Sequence, residues 1–320
     1  MIQELGPFYD WLMPPLVLTL AFIVSLVLPA KFQLATWIHL VADALTQKVL
    51  NPQRDATQQR LAGWLSLTMI LLPFVGISAA IIHLAAFPQV FELLLIALCL
   101  PGRLQWKRHQ QLATELHLGR KQQARLTLAP FTLRQTDKLS EVGLLKAAIE
   151  SRLTHEASTT FLWLLYYPLL GLELTLTMAI IQMLHRHWFI GRKDYQHFGM
   201  GPALLSFAIL MPINLLLGLT LSLYGNTRAC LQQLPKTQWQ TQGGRNWLLT
   251  AMAYYLNVQL GGPWQLDDRR LEFARLGPNI SPQPQDLIRA DKLVNLASWL
   301  WLAMVNLIAI SVSLMMVAPQ

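Results

Sequence analysis

AGWLSLTMILLPFVGISAAIIHLAAF, residues 62–87, runs for 26 residues without an Asp, Glu, Lys or Arg. A helix needs about 20 apolar residues to cross a hydrocarbon core, so this stretch is long enough to span one. Four other runs share its character: Trp11–Pro29, Thr160–Met183, Gly201–Tyr224 and Val294–Val317. A sixth, Val90–Leu100, is shorter, carries Glu92, and follows the quoted run after Pro88, so residues 62–100 read as a tight helical hairpin. Composition agrees, with 53% hydrophobic and only 13% charged residues, where a soluble domain carries about 25% charged. The reading is an all-α polytopic membrane protein with five full transmembrane helices and one short one. All 320 residues form a single membrane domain whose loops cover about 30–61, 101–159 and 225–293. The first ten residues hold Glu4 and Asp10 and no Lys or Arg, so a cleavable signal with a basic start is not expected.

Basic residues set the expected orientation. If all six segments span, the three large loops share one side and hold 22 of the 25 Lys and Arg, leaving Arg186, Arg192 and Lys193 opposite. That asymmetry places the large loops in the cytoplasm and the protein in a bacterial inner membrane, in contact with the lipid bilayer. Alternatively, Thr160–Met183 breaks near Pro168–Gly171 into two re-entrant halves. That moves 225–293 outside and divides the charge 17 to 8. The larger asymmetry favours six spans. The net charge of +8 then belongs to membrane-surface electrostatics, and no nucleic-acid-binding motif accompanies it. Cys99 and Cys230 form no CxxC or Cys/His cluster, which argues against a zinc site or disulfide framework.

Loop 101–159 reads as two helices, Arg103–Arg125 and Ser140–Glu156, separated at Ala129-Pro130. Glu150, His155 and Glu156 fall near the end of the second. Spacing alone makes them a solvated amphipathic face; the sharper reading is carboxylates set for a metal–nucleotide complex. His185 and His187 do not share a helix face and suit a snorkelling interface. Glu173, inside a span, would cost ~2.5–3.5 kcal/mol to insert and is expected to face protein or water. Loop 225–293 contains Gly243-Gly244-Arg245-Asn246-Trp247, an apolar helix Leu248–Leu260, Gly261-Gly262-Pro263-Trp264 and Asp267-Asp268-Arg269-Arg270. Glycine pairs can present N–H groups to an anion, and Gly-Gly-Pro is equally an ordinary helix stop. No Walker A motif, dinucleotide fingerprint or nucleophile elbow occurs.

The stretch Ala251–Gly277, AMAYYLNVQLGGPWQLDDRRLEFARLG, resembles the C-terminal signature of the CbiB/CobD family through Leu256, Leu260, Gly261, Gly262 and Pro263. Trp247 falls on a tryptophan often found upstream of that block. Ala124-Arg125, Arg134 with Thr136, Glu150, and Tyr195 with Gly199 match further family motifs in order, and roughly residues 25–310 align. The family comprises adenosylcobinamide-phosphate synthases. The resemblance implies a ligase joining a corrinoid propionate to aminopropanol phosphate, with ATP and Mg2+. It implies Glu150 as the catalytic or metal-handling carboxylate, Arg125 and Arg134 as phosphate contacts, and Tyr195, Trp247, Gly261, Gly262 and Pro263 lining the substrate pocket. Asp267 and Asp268 are out of register but are candidate replacement metal ligands.

The departures are as specific. The family's E-N and D-G positions are Thr154, His155, Ser158 and Thr159; its N-T-x-D is Gln182 and His185; the Asn after Gly-Gly-Pro is Trp264. The competing expectation is therefore a catalytically inactive relative acting as an AmpE-like membrane partner or sensor. A transporter has Glu92 and Glu173 in its favour but no internal repeat.

Overall fold

The computed structural model describes residues 6–51, 53–233, 236, 241–266 and 269–317, for residues 6–10, 30, 105, 241, 242, 316 and 317 the backbone alone. Asp267 and Asp268, the candidate replacement acids, lie outside the described residues.

The chain is almost wholly helical. Its apolar helices are α1 (Gly6–Ser25), α3 (Ala56–Leu84), α4 (Pro88–Cys99), α8 (Thr160–His187), α9 (Met200–Ser222) and α12 (Pro284–Val317). The polar part comprises α2 (Leu34–Val49), α5 (Leu104–His117), α6 (Lys121–Leu128), α7 (Glu141–Ser158), α10 (Thr227–Gln233) and α11 (Arg245–Leu256). Among the described residues, four helical stretches are long and apolar enough to cross a membrane, namely Ala56–Leu84, Glu141–His187, Met200–Ser222 and Pro284–Met315. The all-α polytopic reading therefore stands. α1 and α12 pack antiparallel, with Phe22 edge-on to Trp299 at 5.0 Å and Asn306 Nδ2 donating to Thr19 Oγ1 at 3.0 Å. α4, at 12 residues, reaches only about 18 Å, little over half of a hydrocarbon core.

The topology differs from both sequence-based alternatives. Gly171 interrupts α8 with φ 76° and ψ −175°, a backbone region that is essentially glycine-only. On a straight helix Thr159 and Met183 would stand about 36 Å apart, yet both line one small cavity, as do Trp163 and Ala179. The helix thus doubles back at Gly171, as the re-entrant reading expected. That reading then moved 225–293 to the other side, and the structure does not. Trp188 Nε1 donates to Thr46 Oγ1 (2.9 Å), Arg186 Nη2 to the Phe131 carbonyl (3.5 Å) and Arg269 Nη1 to Gln196 Oε1 (2.7 Å). These bonds join segments 30–61, 101–159, 184–199 and 225–293 on one face. α9 begins beside the 184–199 segment, and Gly225, just past its end, packs on Tyr255 of α11. Arg186, Arg192 and Lys193, expected opposite, therefore join the other 22 Lys and Arg. The error had one cause: hydropathy reports the length of an apolar run but not whether the run turns back.

Local chemistry explains the polar elements. Ser140 caps α7 by accepting from Gly143 N (3.2 Å), and Asp55 caps α3 by accepting from Gln58 N (2.7 Å), each satisfying an amide left open at a helix start. The expected helix Arg103–Arg125 is two helices, because Gly119 takes φ 71° after α5. α11 stops at Asn257, at φ 57°, earlier than expected. Beyond it the chain forms two nested antiparallel hairpins that the sequence did not suggest. β1 (Leu260–Gly261) pairs with β4 (Arg275–Leu276), enclosing β2 (Trp264–Leu266) paired with β3 (Arg269–Leu271).

Candidate functional site

Glu150 sits near the middle of α7 with its side chain 3% exposed. Its Oε2 accepts from Arg134 Nη2 and, at 2.9 Å, from Arg245 Nη2, and its Oε1 accepts from Gly261 N at 2.8 Å. The expectation of a solvated acidic face is thereby corrected for both acids. Glu156 is also buried and pairs with Arg152, which donates to Asp291 Oδ1 (3.0 Å) and Asn295 Oδ1 (2.9 Å). His109 Nδ1 reaches the same Asp291 oxygen at 2.9 Å.

The two guanidiniums around Glu150 also share an aromatic wall. Arg134 and Arg245 lie 4.7 and 4.8 Å from the Trp264 ring centre, and Arg245 lies 5.6 Å from that of Phe273. Such stacking keeps a guanidinium planar and oriented. Burial pulls the Arg245 guanidinium below its ordinary pKa, and the neighbouring Glu150 carboxylate opposes that shift. Lys146, one turn before Glu150, donates to Gln259 Oε1 at 3.0 Å. One carboxylate thus faces two arginines with a lysine close by, so the cluster is net cationic. Among the described residues, neither Arg134 Nε nor Trp264 Nε1 has a hydrogen-bond partner.

Gly261 is required by geometry. Its φ is 73°, and a Cβ there would lie 2.2 Å from the Ala274 carbonyl oxygen. Gly262 (φ 96°) donates to that same carbonyl at 3.1 Å. The Gly-Gly-Pro block therefore turns the chain at the start of the hairpin and aims one amide at Glu150.

Of the residues expected at the site, the fold assembles Glu150, Arg134 and Gly261, with Gly262 and Pro263 in the adjoining turn. Arg125 is engaged elsewhere, donating from Nε and Nη2 to the Leu139 carbonyl at 3.3 and 2.9 Å. Trp247 is wholly buried between α11 and α9, against Gly218, and donates to the Leu215 carbonyl at 3.2 Å. Tyr195 packs on Phe198, and burial raises its phenol above the ordinary value. Arg245, Lys146 and Phe273 were not singled out from sequence. Arg245 directly follows the Gly243-Gly244 pair, which was the available signal.

The family model of CobD/Cbib proteins matches residues 18–294. The chain belongs to this family. A curated relative, cobalamin biosynthesis protein CobD of Chromobacterium violaceum, is 26% identical over 250 residues, covering 77% of this chain and 80% of the relative. No solved structure matches significantly. Within this CobD/Cbib chain, the signature Gly-Gly-Pro and the motif residues Arg134 and Glu150, more than 100 positions apart, converge on one hydrogen-bonded cluster.

The donor set does not suit a resident Mg2+ at Glu150. Both carboxylate oxygens already accept charge-assisted or amide hydrogen bonds. Among the described residues, no group of three or more His, Cys, Asp or Glu could hold a metal ion.

Proposed function

We propose that this protein acts in cobalamin biosynthesis, in the bacterial inner membrane, as an adenosylcobinamide-phosphate synthase-like ligase whose chemistry lies on the cytoplasmic face. The observation that supports this is the Arg134–Glu150–Arg245 cluster on Trp264, in which Arg134 and Glu150 occupy family motif positions. The reaction joins a corrinoid propionate, as in adenosylcobyric acid, to aminopropanol phosphate. The carboxylate oxygen attacks the terminal phosphorus of ATP and ADP leaves; the amine nitrogen then attacks the acyl carbon, expelling phosphate and losing a proton to water. In this reading Arg134 and Arg245 hold phosphate oxygens, since guanidiniums bind them in paired hydrogen bonds, and Glu150 is a positioning residue that aims both. Trp264 and Phe273 supply a flat apolar wall for a macrocycle edge. No step is assigned to a metal.

A second reading is an inactive relative that acts as a membrane partner or sensor. It is favoured by the full occupation of Glu150 and by His155, Ser158 and His185 at positions where the family pattern is acidic or amide. One experiment separates the two. Detergent-purified protein receives adenosylcobyric acid, aminopropanol phosphate and Mg-ATP, and ADP and cobinamide phosphate are followed. The ligase reading expects both products, with loss of activity in Arg134→Gln and Arg245→Gln. No turnover, together with failure to complement a synthase-deficient strain, leaves the inactive relative.

A further inference from the structure

We infer that a second, separate anion site lies where α7 passes into α8, and that it takes a phosphate group between Arg186, Gln182, His155 and the first turn of α8. The cavity there has a volume of about 70 Å³, room for about five water molecules, the scale of a single tetrahedral oxyanion. Its polar lining comprises His39, His155, Ser158, Thr159, Gln182 and Arg186, together with Gln33, and no Asp or Glu.

Two independent features point to a missing negative charge. Arg186 makes no ion pair among the described residues; the hydrogen bond it shows, at 3.5 Å, goes to the Phe131 carbonyl. A largely buried guanidinium without a counter-charge is destabilising, and a bound anion offsets that. Gln182 is 2% exposed and donates nothing through Nε2, although its Oε1 accepts from Ser206 Oγ at 2.8 Å. His155 Nδ1 is likewise buried without a partner. Among the described residues neither atom has a partner; Gln182 Nε2 is a donor and His155 Nδ1 is one in its Nδ1–H tautomer, and such buried groups are uncommon in folded proteins and call for an occupant. The junction residues Ser158 and Thr159 line the same cavity, with Thr159 at φ −123° and ψ −87° and no side-chain cap on α8. The cavity reaches the surface through α2, where Gln33, Ala35 and His39 are half-buried.

The site is distinct from the Glu150 cluster: the cavity lining includes none of Glu150, Arg134 and Arg245. It stands whether or not the ligase reading does. Free phosphate, a phosphate on a soluble substrate and a phospholipid headgroup all present the shared chemistry, a tetrahedral oxyanion.

The test uses the full chain in neutral detergent. Inorganic phosphate is titrated at constant ionic strength, chloride being the replaced anion, and unfolding temperature is read. Wild type is expected to rise saturably with phosphate. In the Arg134→Gln background, which removes any contribution from the Glu150 cluster, Arg186→Met should abolish the rise while melting at or above its parent without phosphate, because an unpaired charge is removed. A purely structural arginine predicts the opposite sign. Gln182→Leu should weaken the response at least threefold, and Arg134→Gln should keep it. A parallel arm compares phosphatidylglycerol with phosphatidylcholine nanodiscs in phosphate-free buffer. Stabilisation by phosphatidylglycerol that Arg186→Met abolishes supports the site and names lipid as its source. No Arg186-dependent stabilisation in either arm, or a phosphate response lost in Arg134→Gln and kept in Arg186→Met, overturns the inference.

Discussion

Replacing Glu150 by Gln removes one negative charge from a site that holds two guanidiniums, without changing its shape. The side chain is 3% exposed, and its partners Arg134 and Arg245 are 4% and 13% exposed, so water cannot replace the lost charge. Breaking a buried ion pair by removing one partner costs about 3–5 kcal/mol. The amide oxygen of Gln can keep the Gly261 N–H bond, but its NH2 would point a donor at two donors, so the upper half of that range is expected. Equilibrium unfolding in mixed micelles measures the loss. The same reasoning fixes a sign for the double variant: Arg245→Met should cost less in the Glu150→Gln background than in wild type, by about 0.5–3 kcal/mol. A Glu150→Gln protein within about 0.5 kcal/mol of wild type, the usual scatter of surface substitutions, would refute the claim that this carboxylate organises the site.

Further consequences concern topology and backbone. Single cysteines at Lys107, Lys193 and Arg275 should all react with an impermeant maleimide from the same side of sealed vesicles; labelling of the Lys193 position alone from the other side would restore the six-span arrangement. The native thiols should not interfere, since both are buried and burial pushes Cys230 up to about 11, leaving it almost wholly protonated and slow at pH 7. Gly171→Ala meets open space, so its cost, about 1–3 kcal/mol, comes from backbone conformation alone; an unchanged melting temperature would show that α8 is not sharply broken. Gly261→Ala should lose more than the roughly 1–2 kcal/mol of the left-handed backbone, because the new methyl also meets the Ala274 carbonyl, and ligase activity, if present, should fall with it.

By itself the sequence determined the solvent this protein lives in, the start of α7 and the block that closes the site. Apolar runs, Ser140 three residues before Gly143, and Gly-Gly-Pro after an apolar helix each carry their meaning within one to six turns of chain. Arg134, Glu150 and Gly261 were also legible as candidates, through family resemblance. Only the tertiary structure decided the rest. Glu150 reads as a surface acid on its own helix; it is a buried anchor because Arg134, Arg245 and Gly261 reach it from 16, 95 and 111 residues away. Trp247 and Arg125 match the same patterns but spend their donors on Leu215 and Leu139. Whether α8 crosses or turns back rests on the φ of one glycine and on the partners its two halves find, and these place all four basic segments on one face. A hydropathy profile sums over neighbours along the chain, whereas burial of charge and reversal of a helix depend on groups far apart in sequence and adjacent in space.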